Sequence, residues 1–517
     1  MTELNGRTFN RFTIKQPVYA LLFSFLTGTS LVFAFAPFSL WPITFIAVIF
    51  WLSQLTDKSP KQAFKLGLSF GFGYFAAGIS WVHVSIEQFG GMPLIASIFL
   101  MLLLCSYLAL YPALAAWLCA KLTKNKSANL YFLPFAWLVS EYLRSVMLTG
   151  FPWLSLGYSQ IDSPLSALAP IIGEVGISFT IILMCVVTVQ LINRCHKTVN
   201  LIIIAITVVI TSSSPLLNVV DKTGETKSVA LVQGNIKQEL RWDKEAETNI
   251  INGYIEASKP LYSNNDLVIW PEAAIPRIEP LAQNYLTELN IQAGSVQSSL
   301  ITGLINYDPD TRKFFNRLVV LGKKNQDNFD GSYYYGNNNH YNKHHLLPIG
   351  EFVPFADLLR PIAPFFNLPM SSFSRGDYVQ PNLVANGINL APLICFEIAF
   401  PQQLAANIRP HTDMILTVSN DAWFGASHGP DQHLEIARMR ALEFGKPMLR
   451  ATNNGLTAVI DHQGKIIADI PQFSKAVLQT TVELVNGETH YSAWGRYLDK
   501  LLMLLFLMYL VREKFIK

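Results

Sequence analysis

Nearly unbroken runs of apolar residues fill the first 213 positions of the chain and return close to its C-terminus. About 20 helical residues cross the hydrocarbon core of a bilayer, because each adds about 1.5 Å of length. The pattern therefore predicts eight transmembrane helices, the first of which is too long for the core of a signal peptide and is expected to be retained. The predicted spans are Pro17–Ala36, Ser39–Leu55, Phe64–Val84, Pro93–Ala120, Leu130–Leu148, Ala167–Leu191, Val199–Ser213 and Trp494–Val511.

Positive charges flank these predicted helices on one side. Lysines and arginines precede the first span and follow the second, fourth, sixth and eighth, whereas the loops at 36–39, 86–92 and 149–166 contain none. Loops rich in these residues stay in the cytoplasm. We therefore expect both termini to be cytoplasmic and the segment 214–493 to face the opposite side of the membrane. The charged positions are Arg7, Arg11, Lys15, Lys58, Lys61, Lys65, Lys121, Lys124, Lys126, Arg194, Lys197, Arg512, Lys514 and Lys517.

Composition agrees with a membrane protein and disfavours some partners. Hydrophobic residues make up 51% of the chain and charged residues 15%, against about 25% charged in an ordinary soluble domain. The net charge of +3 and the lack of any Lys/Arg-rich run speak against nucleic-acid binding. The five cysteines show no spacing that suggests a disulfide framework.

Two features of the apolar half resemble functional motifs. Gly67-Leu-Ser-Phe-Gly71 fits the nucleophile-elbow pattern, but it falls inside a predicted helix, so we interpret its glycines as a helix-packing face. Glu141 and Arg144 are ionisable residues within a predicted span. They can bind a lipid head group or pair with each other, and the sequence leaves both interpretations open.

From Lys227 onward, short apolar runs alternate with amphipathic stretches. Strands separated by helices predict an α/β fold with a parallel or mixed sheet. The predicted strands are Ser228–Gln233, Asp266–Trp270, Ser299–Leu304, Asn316–Leu321, Ala391–Cys395, Asp413–Ser419 and Leu456–Ile460. The predicted helices are Thr248–Lys259, Leu281–Ala293, Phe400–Ile408 and Asp431–Phe444.

Three stretches of this α/β segment carry candidate chemistry. Glu272 follows the apolar run Val268-Ile-Trp-Pro, Lys343 precedes Glu351 by eight residues, and Cys395 ends the apolar run that begins at Leu390. Each signal is weak by itself, because a carboxylate after a strand is usually solvated and a lone cysteine is more often a buried structural thiol. Their chemistry is nevertheless complementary.

A thiol becomes an effective nucleophile when a base or a cation lies beside it, because few free thiols are ionised at neutral pH. Glu272 is the candidate base for Cys395. Lys343 is the candidate cation that stabilises a tetrahedral oxyanion, with a backbone N–H beside Cys395 as the second donor. His344 and His345 lack any metal-ligand spacing, so we expect solvated loop histidines and predict neither a metal nor a cofactor.

Taken in this order, the three stretches resemble the Glu–Lys–Cys triad of the nitrilase, or carbon–nitrogen hydrolase, superfamily. The whole chain is similar to the bacterial apolipoprotein N-acyltransferase family, which joins such a domain to eight membrane helices. The resemblance is supported by Leu240-Arg-Trp-Asp243, by Ser419-Asn-Asp-Ala-Trp-Phe-Gly425, and by the segments 437–443 and 450–455. One departure is Phe396, where we expect tyrosine in that family.

The resemblance implies a polytopic α-helical membrane domain at 1–213, an α/β αββα-sandwich catalytic domain at 214–493 in the periplasm, and an eighth helix with a cytoplasmic tail at 494–517. It implies an acyltransferase of the bacterial inner membrane that needs no cofactor. The acyl donor would be a membrane phospholipid and the acceptor a diacylglyceryl apolipoprotein, and we expect a monomer. Supporting roles fall to Glu351 and Glu397, and substrate contacts to Trp242, Phe396, Asn420 and Trp423.

The stretch from Phe352 to Met370 is apolar, aromatic and interrupted by four prolines, which disfavours regular structure. We predict a mobile lid that admits acyl chains from the bilayer interface. Two other functions remain open on the residues alone: a membrane-tethered amidase or nitrilase, and a transporter or sensor with an outer binding domain. A transporter would need polar or broken helices along a path, and few intramembrane charges occur here.

Overall fold

The computed structural model describes residues 13–122, 129–325, 331–348, 350–352 and 373–515. The chain divides into two compact units. The first comprises residues 1–83, 94–218 and 493–517, and the second comprises 84–93 and 219–492. The predicted lid falls almost entirely within 353–372, outside the described residues, and so it stays a prediction.

The first unit is built from apolar helices, and each predicted span coincides with one of them. Within the described residues, four helical stretches are long and apolar enough to cross a membrane: Pro17–Ala34, Leu94–Lys121, Pro164–Ile192 and Lys197–Leu217. The number of spans and their orientation therefore stay predictions. The helices are Pro17–Ser30, Pro42–Leu55, Pro60–Gly78, Leu94–Lys121, Leu133–Val146, Ala169–Ile192, Lys197–Ser213 and Leu498–Phe515.

The sequence that fits the nucleophile-elbow pattern, Gly67 to Gly71, lies inside the helix Pro60–Gly78. A Cβ added at Gly67 would lie 2.7 Å from Cα of Ala113, and one added at Gly71 would lie 2.9 Å from Cα of Ala109. The two glycines therefore let this helix approach Leu94–Lys121 closely, as predicted. Glu141 and Arg144 form an ion pair one turn apart, so the predicted pairing is confirmed, whereas binding of a lipid head group stays a prediction.

The second unit contains two sheets. The strands are β1 Asp221–Gln233, β2 Leu267–Ile269, β3 Ile275–Ile278, β4 Ser299–Asp308, β5 Lys313–Gly322, β6 His340–Asn342, β7 Leu383–Ala385, β8 Ile388–Ile394, β9 Met414–Ser419, β10 Met448–Thr452, β11 Thr457–Ile460, β12 Ile466–Ile470 and β13 Ala476–Asn486. In the described part of the chain, one sheet has the order β13-β1-β2-β4-β5-β6, with β3 also paired to β4, and the other has the order β12-β11-β10-β9-β8-β7. Neighbours β1, β2 and β4 run parallel, as do β8, β9 and β10.

The core of this unit lies between the two sheets. Apolar side chains from both sheets, such as Leu231 and Ile269 from one and Leu390 and Leu416 from the other, form one buried cluster. A second cluster packs the outer face of the first sheet against nearby helices. The arrangement confirms the predicted α/β sandwich with outer helices. The helices of this unit are Lys244–Ser258, Gln283–Ser295, Pro401–Asn407, Gly429–Phe444 and His490–Ala493.

Some strands were missed because their patterns are mixed. β10 contains the buried Arg450, which interrupts its apolar run, and β13 alternates between buried and exposed positions only in its second half. β1 begins at Asp221, seven residues before the predicted start, because its exposed first half pairs with β13. A predicted strand reaching Cys395 is one residue too long, since β8 ends at Ile394.

A short segment from the first half of the sequence, Val84–Pro93, belongs to the second unit. Ser85 Oγ donates a hydrogen bond to the backbone carbonyl of Trp423 at 2.6 Å. A Cβ on Gly425, whose φ is +56°, would lie 2.9 Å from Cγ1 of Val84. The segment therefore packs closely on the loop that follows β9.

Candidate active site

Candidate residues gather where parallel strands of both sheets end. Glu272 follows β2, Cys395 follows β8 and Asn420 follows β9. Ligands and catalytic groups of α/β proteins collect at the carboxyl ends of parallel strands. Glu272 lies within 3.5 Å of Lys343, which follows β6, and accepts a hydrogen bond from the backbone of Asn420. The charges of Glu272 and Lys343 both act on the Cys395 thiol, so these strand ends converge on one site.

Glu272 is held from several directions. Its Oε1 accepts a hydrogen bond from Asn316 Nδ2 at 2.8 Å and lies 3.5 Å from Nζ of Lys343. Its Oε2 accepts a hydrogen bond from the backbone N–H of Asn420 at 2.9 Å. The guanidinium of Arg241 binds the backbone carbonyls of Glu272 and Ala273. The carboxylate of Glu272 is therefore buried, and these hydrogen bonds hold it in one position.

Lys343 is fully buried and is bound most closely by Glu351. Its Nζ lies 2.8 Å from one carboxylate oxygen of Glu351 and 2.9 Å from the other. Burial alone would lower the pKa of Lys343, but the charges of Glu351 and Glu272 outweigh it and raise that pKa above its usual value. Glu351 also accepts hydrogen bonds from Asn316 and from the backbone of Leu347. The ammonium is thus a permanent cation.

Cys395 is half-buried and adopts a left-handed backbone conformation with φ +54°. Such a conformation is costly for a residue other than glycine and is found where function requires it. Burial, reinforced by the nearby charge of Glu272, raises the pKa of the thiol to about 12, while the charge of Lys343 and the nearby hydroxyl of Ser419 oppose that rise. The thiol therefore lies within the fields of both Glu272 and Lys343 and is protonated at rest.

Glu397 is buried and organises the chain beside Lys343 without binding its ammonium. Its Oε1 accepts hydrogen bonds from the backbone N–H groups of His344 and His345 at 2.8 and 2.9 Å. Its Oε2 accepts one from Ile394 N at 2.8 Å, and Tyr341 OH donates to the same carboxylate. Glu397 thus connects the end of β8 to the segment that carries Lys343.

The four predicted substrate contacts have different surroundings. Asn420 accepts a hydrogen bond from Asn453 and donates one to Gln238, so its amide is engaged within the protein. Phe396 is buried and packs edge-on against Phe400. Trp423 is half-buried in the loop contacted by Ser85. The side chain of Trp242 lies outside the described residues. Substrate contact by these four stays a prediction.

One expectation about the histidines is wrong. His344 and His345 are half-buried rather than solvated. His344 Nδ1 lies 2.7 Å from the carbonyl of Gly376, and His345 stacks on Phe400 with ring centroids 3.5 Å apart. The tertiary packing of aromatic neighbours, which the local sequence does not reveal, decides this. No group of three or more His, Cys, Asp or Glu side chains that could hold a metal ion occurs in the described ranges.

Sequence reasoning missed several residues that support the site. Asn316 donates to both Glu272 and Glu351, and Arg241 binds the backbone of the loop that carries Glu272. Asn316 is the first residue of a predicted strand, and a polar residue at that position does not by itself indicate a part in a functional site. Arg241 lies within Leu240-Arg-Trp-Asp243, a motif used only for the resemblance.

Two sequence families match the chain. Residues 228–489 match the family described as carbon-nitrogen hydrolase, so the fold and site define a domain of that class. Residues 27–187 match the apolipoprotein N-acyltransferase N-terminal domain. The apolipoprotein N-acyltransferase of Shewanella oneidensis is 48% identical over 497 residues, covering 95% of both chains. The chain therefore belongs to the apolipoprotein N-acyltransferase family and is an acyltransferase.

Other relatives agree. The apolipoprotein N-acyltransferase of Vibrio cholerae is 47% identical over 470 residues, covering 89% of this chain and 91% of its own. That of Haemophilus influenzae is 39% identical over 500 residues, covering 95% of this chain and 94% of its own. The similarity thus extends through both units, and it confirms the family predicted from the motifs.

Proposed function

We propose that this protein transfers an acyl chain from a membrane phospholipid to the α-amine of a lipoprotein's N-terminal diacylglyceryl-cysteine. The acyl chain passes through a thioester on Cys395. The observation that carries this proposal is the arrangement around Lys343, whose ammonium lies 2.8 Å from Glu351 and 3.5 Å from Glu272. The charges of Lys343 and Glu272 both act on the thiol of Cys395. A cation, a carboxylate and a thiol in one buried site are the components of acyl transfer.

Glu272 acts as the general base in this scheme. A thiol whose pKa is raised to about 12 is not ionised at neutral pH, so its proton must leave as the sulfur attacks. The hydrogen bonds from Asn316 and from the Asn420 backbone orient the carboxylate of Glu272 for this transfer. Lys343, held by Glu351, supplies positive charge for the oxyanion.

In the first half-reaction, Cys395 sulfur attacks the carbonyl carbon of a phospholipid ester while Glu272 takes the thiol proton. The tetrahedral intermediate collapses as the bond from carbon to the glycerol oxygen breaks. That oxygen receives the proton from Glu272, and a lysophospholipid leaves. The products are one lysophospholipid and one acyl thioester on Cys395.

In the second half-reaction, the neutral α-amine of the acceptor attacks the thioester carbonyl. Glu272 takes a proton from the amine nitrogen, the carbon–sulfur bond breaks, and the proton returns to the sulfur of Cys395. An amide replaces a thioester, which is energetically downhill, so the transfer needs no nucleotide. The two steps together constitute a ping-pong mechanism.

The apolar helices support a membrane setting for this chemistry. We infer a protein of the bacterial inner membrane that crosses it eight times, with cytoplasmic termini, a periplasmic catalytic domain and no need for a second copy. The distribution of lysine and arginine along the chain supports this orientation. An active site supplied from the bilayer has its donor at high local concentration and its thioester protected from water.

The proposal is tested by intact-mass analysis of the purified protein after incubation with phospholipid alone. Wild type should gain the mass of one acyl chain on Cys395 and release lysophospholipid, whereas Cys395→Ala should gain nothing. Adding a diacylglyceryl-cysteine peptide should then remove the adduct and yield an acylated amine. Failure of wild type to form the adduct would refute the thioester. Release of free fatty acid without acylation of the peptide would indicate a membrane-tethered hydrolase instead.

A further inference from the structure

Beneath the nucleophile lies a buried polar cluster, here named the Asp421 cluster, that consists of Ser419, Asp421, His433 and Arg450. None of its members exceeds 2% exposure. They come from the end of β9, the turn after it, the helix Gly429–Phe444 and β10. Burying four polar side chains in a core costs free energy unless they are hydrogen-bonded. Their contacts with one another and with Cys395 therefore need to be described.

Asp421 is the centre of the cluster. Its Oδ1 accepts a hydrogen bond from Ser419 Oγ at 2.6 Å, and its Oδ2 accepts one from Arg450 Nη2 at 2.7 Å. Burial alone would raise the pKa of Asp421, but Arg450 and its other partners lower it to about 2. Asp421 is thus a carboxylate that holds Ser419 and Arg450 in place.

The cluster contacts the main chain of Cys395 through His433, whose Nε2 lies 3.1 Å from the backbone carbonyl oxygen of Cys395. The hydroxyl of Ser419 donates to Asp421 Oδ1 at 2.6 Å, and the same carboxylate oxygen lies 3.2 Å from His433 Nδ1. The cluster therefore reaches the proposed nucleophile through its backbone.

The neighbours of His433 define its proton. A carbonyl oxygen only accepts hydrogen bonds, so Nε2 must carry the proton and donate it to Cys395. Nδ1 lies 3.1 Å from Arg450 Nη2, which only donates, and 3.2 Å from Asp421 Oδ1, which only accepts. Burial and the charge of Arg450 lower the pKa of His433, and the charge and hydrogen bond of Asp421 oppose that fall. In either state of Nδ1, the ring donates from Nε2 to the Cys395 carbonyl.

This hydrogen bond acts on the residue whose conformation is strained. Cys395 has φ +54°, a strained conformation for a residue other than glycine, which persists only where surrounding contacts impose it. The Cys395 carbonyl is one end of the peptide plane that follows the left-handed residue. Fixing that oxygen restricts rotation of the plane, and with it the direction of the thiol.

We propose that His433 is a positioning residue, whose Nε2–H holds the Cys395 carbonyl and so keeps the thiol aimed at the acyl carbonyl carbon. Asp421 and Arg450 both contact Nδ1 and hold the ring of His433 in the orientation that this requires. The inference rests on the proposed function of Cys395 as nucleophile. It assigns to the helix Gly429–Phe444 a part in catalysis that none of the predicted site residues supplies.

Two substitutions separate the hydrogen bond from simple packing. In His433→Gln, the side-chain amide extends as far as Nε2 and can still donate to the Cys395 carbonyl. In His433→Asn, the amide extends only as far as Nδ1 and cannot reach it. The measurement is the rate of acyl-enzyme formation on Cys395 in the full-length protein with saturating phospholipid, together with KM and the thermal midpoint.

We expect His433→Asn to slow acylation by about 10- to 100-fold with little change in KM, because misaligned reacting groups lose rate rather than binding. His433→Gln should retain a rate within about threefold of wild type at a comparable thermal midpoint. If His433 had only a structural role, the acylation rate of each variant would instead fall in proportion to the loss in its thermal midpoint.

Equal acylation rates in wild type and His433→Asn would overturn the proposal, as would equal losses in both variants. If His433→Asn does not fold, His433→Gln decides: a folded variant that acylates slowly overturns it, and one close to wild type supports it. Wild type in the same experiment tests the proposed function separately. If wild type forms no acyl adduct, the role of Cys395 as nucleophile is refuted. If wild type forms the adduct and His433→Asn forms it equally fast, only the positioning role of His433 is refuted.

Discussion

Gly303 lies directly against the main chain of Glu272. A Cβ at position 303 would be 2.9 Å from Cα of Glu272 and 2.5 Å from the backbone nitrogen of the next residue. Both neighbours are backbone atoms, which cannot move aside as a flexible side chain can. Glycine in the middle of β4 therefore lets the proposed general base occupy its position.

We predict that Gly303→Ala will displace Glu272 and lower kcat/KM at least about 100-fold, because small misplacements of catalytic groups are costly. The matched control is Gly253→Ala in the helix Lys244–Ser258, where an added Cβ meets nothing within 4 Å. That control should keep its activity and gain about 0.5–1 kcal/mol of stability. Acyltransferase assays and thermal unfolding of both variants check the prediction. Full activity in Gly303→Ala would show that Glu272 tolerates displacement.

Glu351→Gln should remove the charge closest to the Lys343 ammonium. Lys343 is fully buried, and removing one partner of a buried ion pair costs about 3–5 kcal/mol, although Glu272 at 3.5 Å would still compensate part of its charge. We expect a loss of stability of that order and a large loss of activity, as Lys343 shifts away from the oxyanion. Thermal unfolding and steady-state assays measure the two effects.

The control for that substitution is Glu256→Gln. Glu256 pairs with Lys259 on the surface, where both side chains are more than half exposed. Exposed pairs contribute about 0–1 kcal/mol, so stability and activity should hardly change. Equal effects at positions 351 and 256 would contradict the role given to Glu351.

Alkylation of Cys395 should depend on pH in a characteristic way. Burial is the main cause that raises the pKa of its thiol to about 12. Below that pKa, the reactive thiolate fraction rises about tenfold per pH unit. The iodoacetamide reaction rate of the free enzyme should therefore still be rising at pH 10, whereas Cys395 in denatured protein should level off near pH 9. Peptide-resolved mass spectrometry distinguishes Cys395 from the other cysteines. Fast alkylation at pH 7 with an early plateau would instead indicate a resting thiolate paired with Lys343.

Ser85→Ala should loosen the loop after β9. It removes the hydroxyl that donates to the backbone carbonyl of Trp423 at 2.6 Å, a contact within one compact unit. Loss of one hydrogen bond is expected to cost about 1 kcal/mol, or about fivefold faster local opening. Hydrogen exchange at the amides of residues 421–425 measures it. Ser295→Ala, which removes an exposed hydroxyl at a helix end, should leave those amides unchanged; an equal change in both would contradict the prediction.

Local patterns were sufficient to place the main elements and two of the candidate groups. Glu272 and Cys395 each come directly after an apolar run, and strand ends of an α/β sheet converge, so their location at one sheet edge was predictable. Lys343 follows β6, a strand that the sequence did not predict, and only its chemistry and the family resemblance placed it with the other two. The eight apolar stretches likewise each coincide with a helix. Cys395 was predicted to be the last residue of its strand, which ends one residue earlier, because a continuous apolar run does not reveal a left-handed φ.

Local patterns predicted an apolar part and an α/β part, and they singled out Glu272, Lys343 and Cys395 as candidates, because apolar periodicity and reactive residue types are local properties. Contacts between distant parts of the chain define which polar side chains surround these candidates. Asn316 reaches Glu272 across 44 positions, and His433 reaches the Cys395 carbonyl across 38. A buried polar residue within a strand or helix looks like an interruption of the pattern until its distant partner is known, because its burial is favourable only once that hydrogen bond forms.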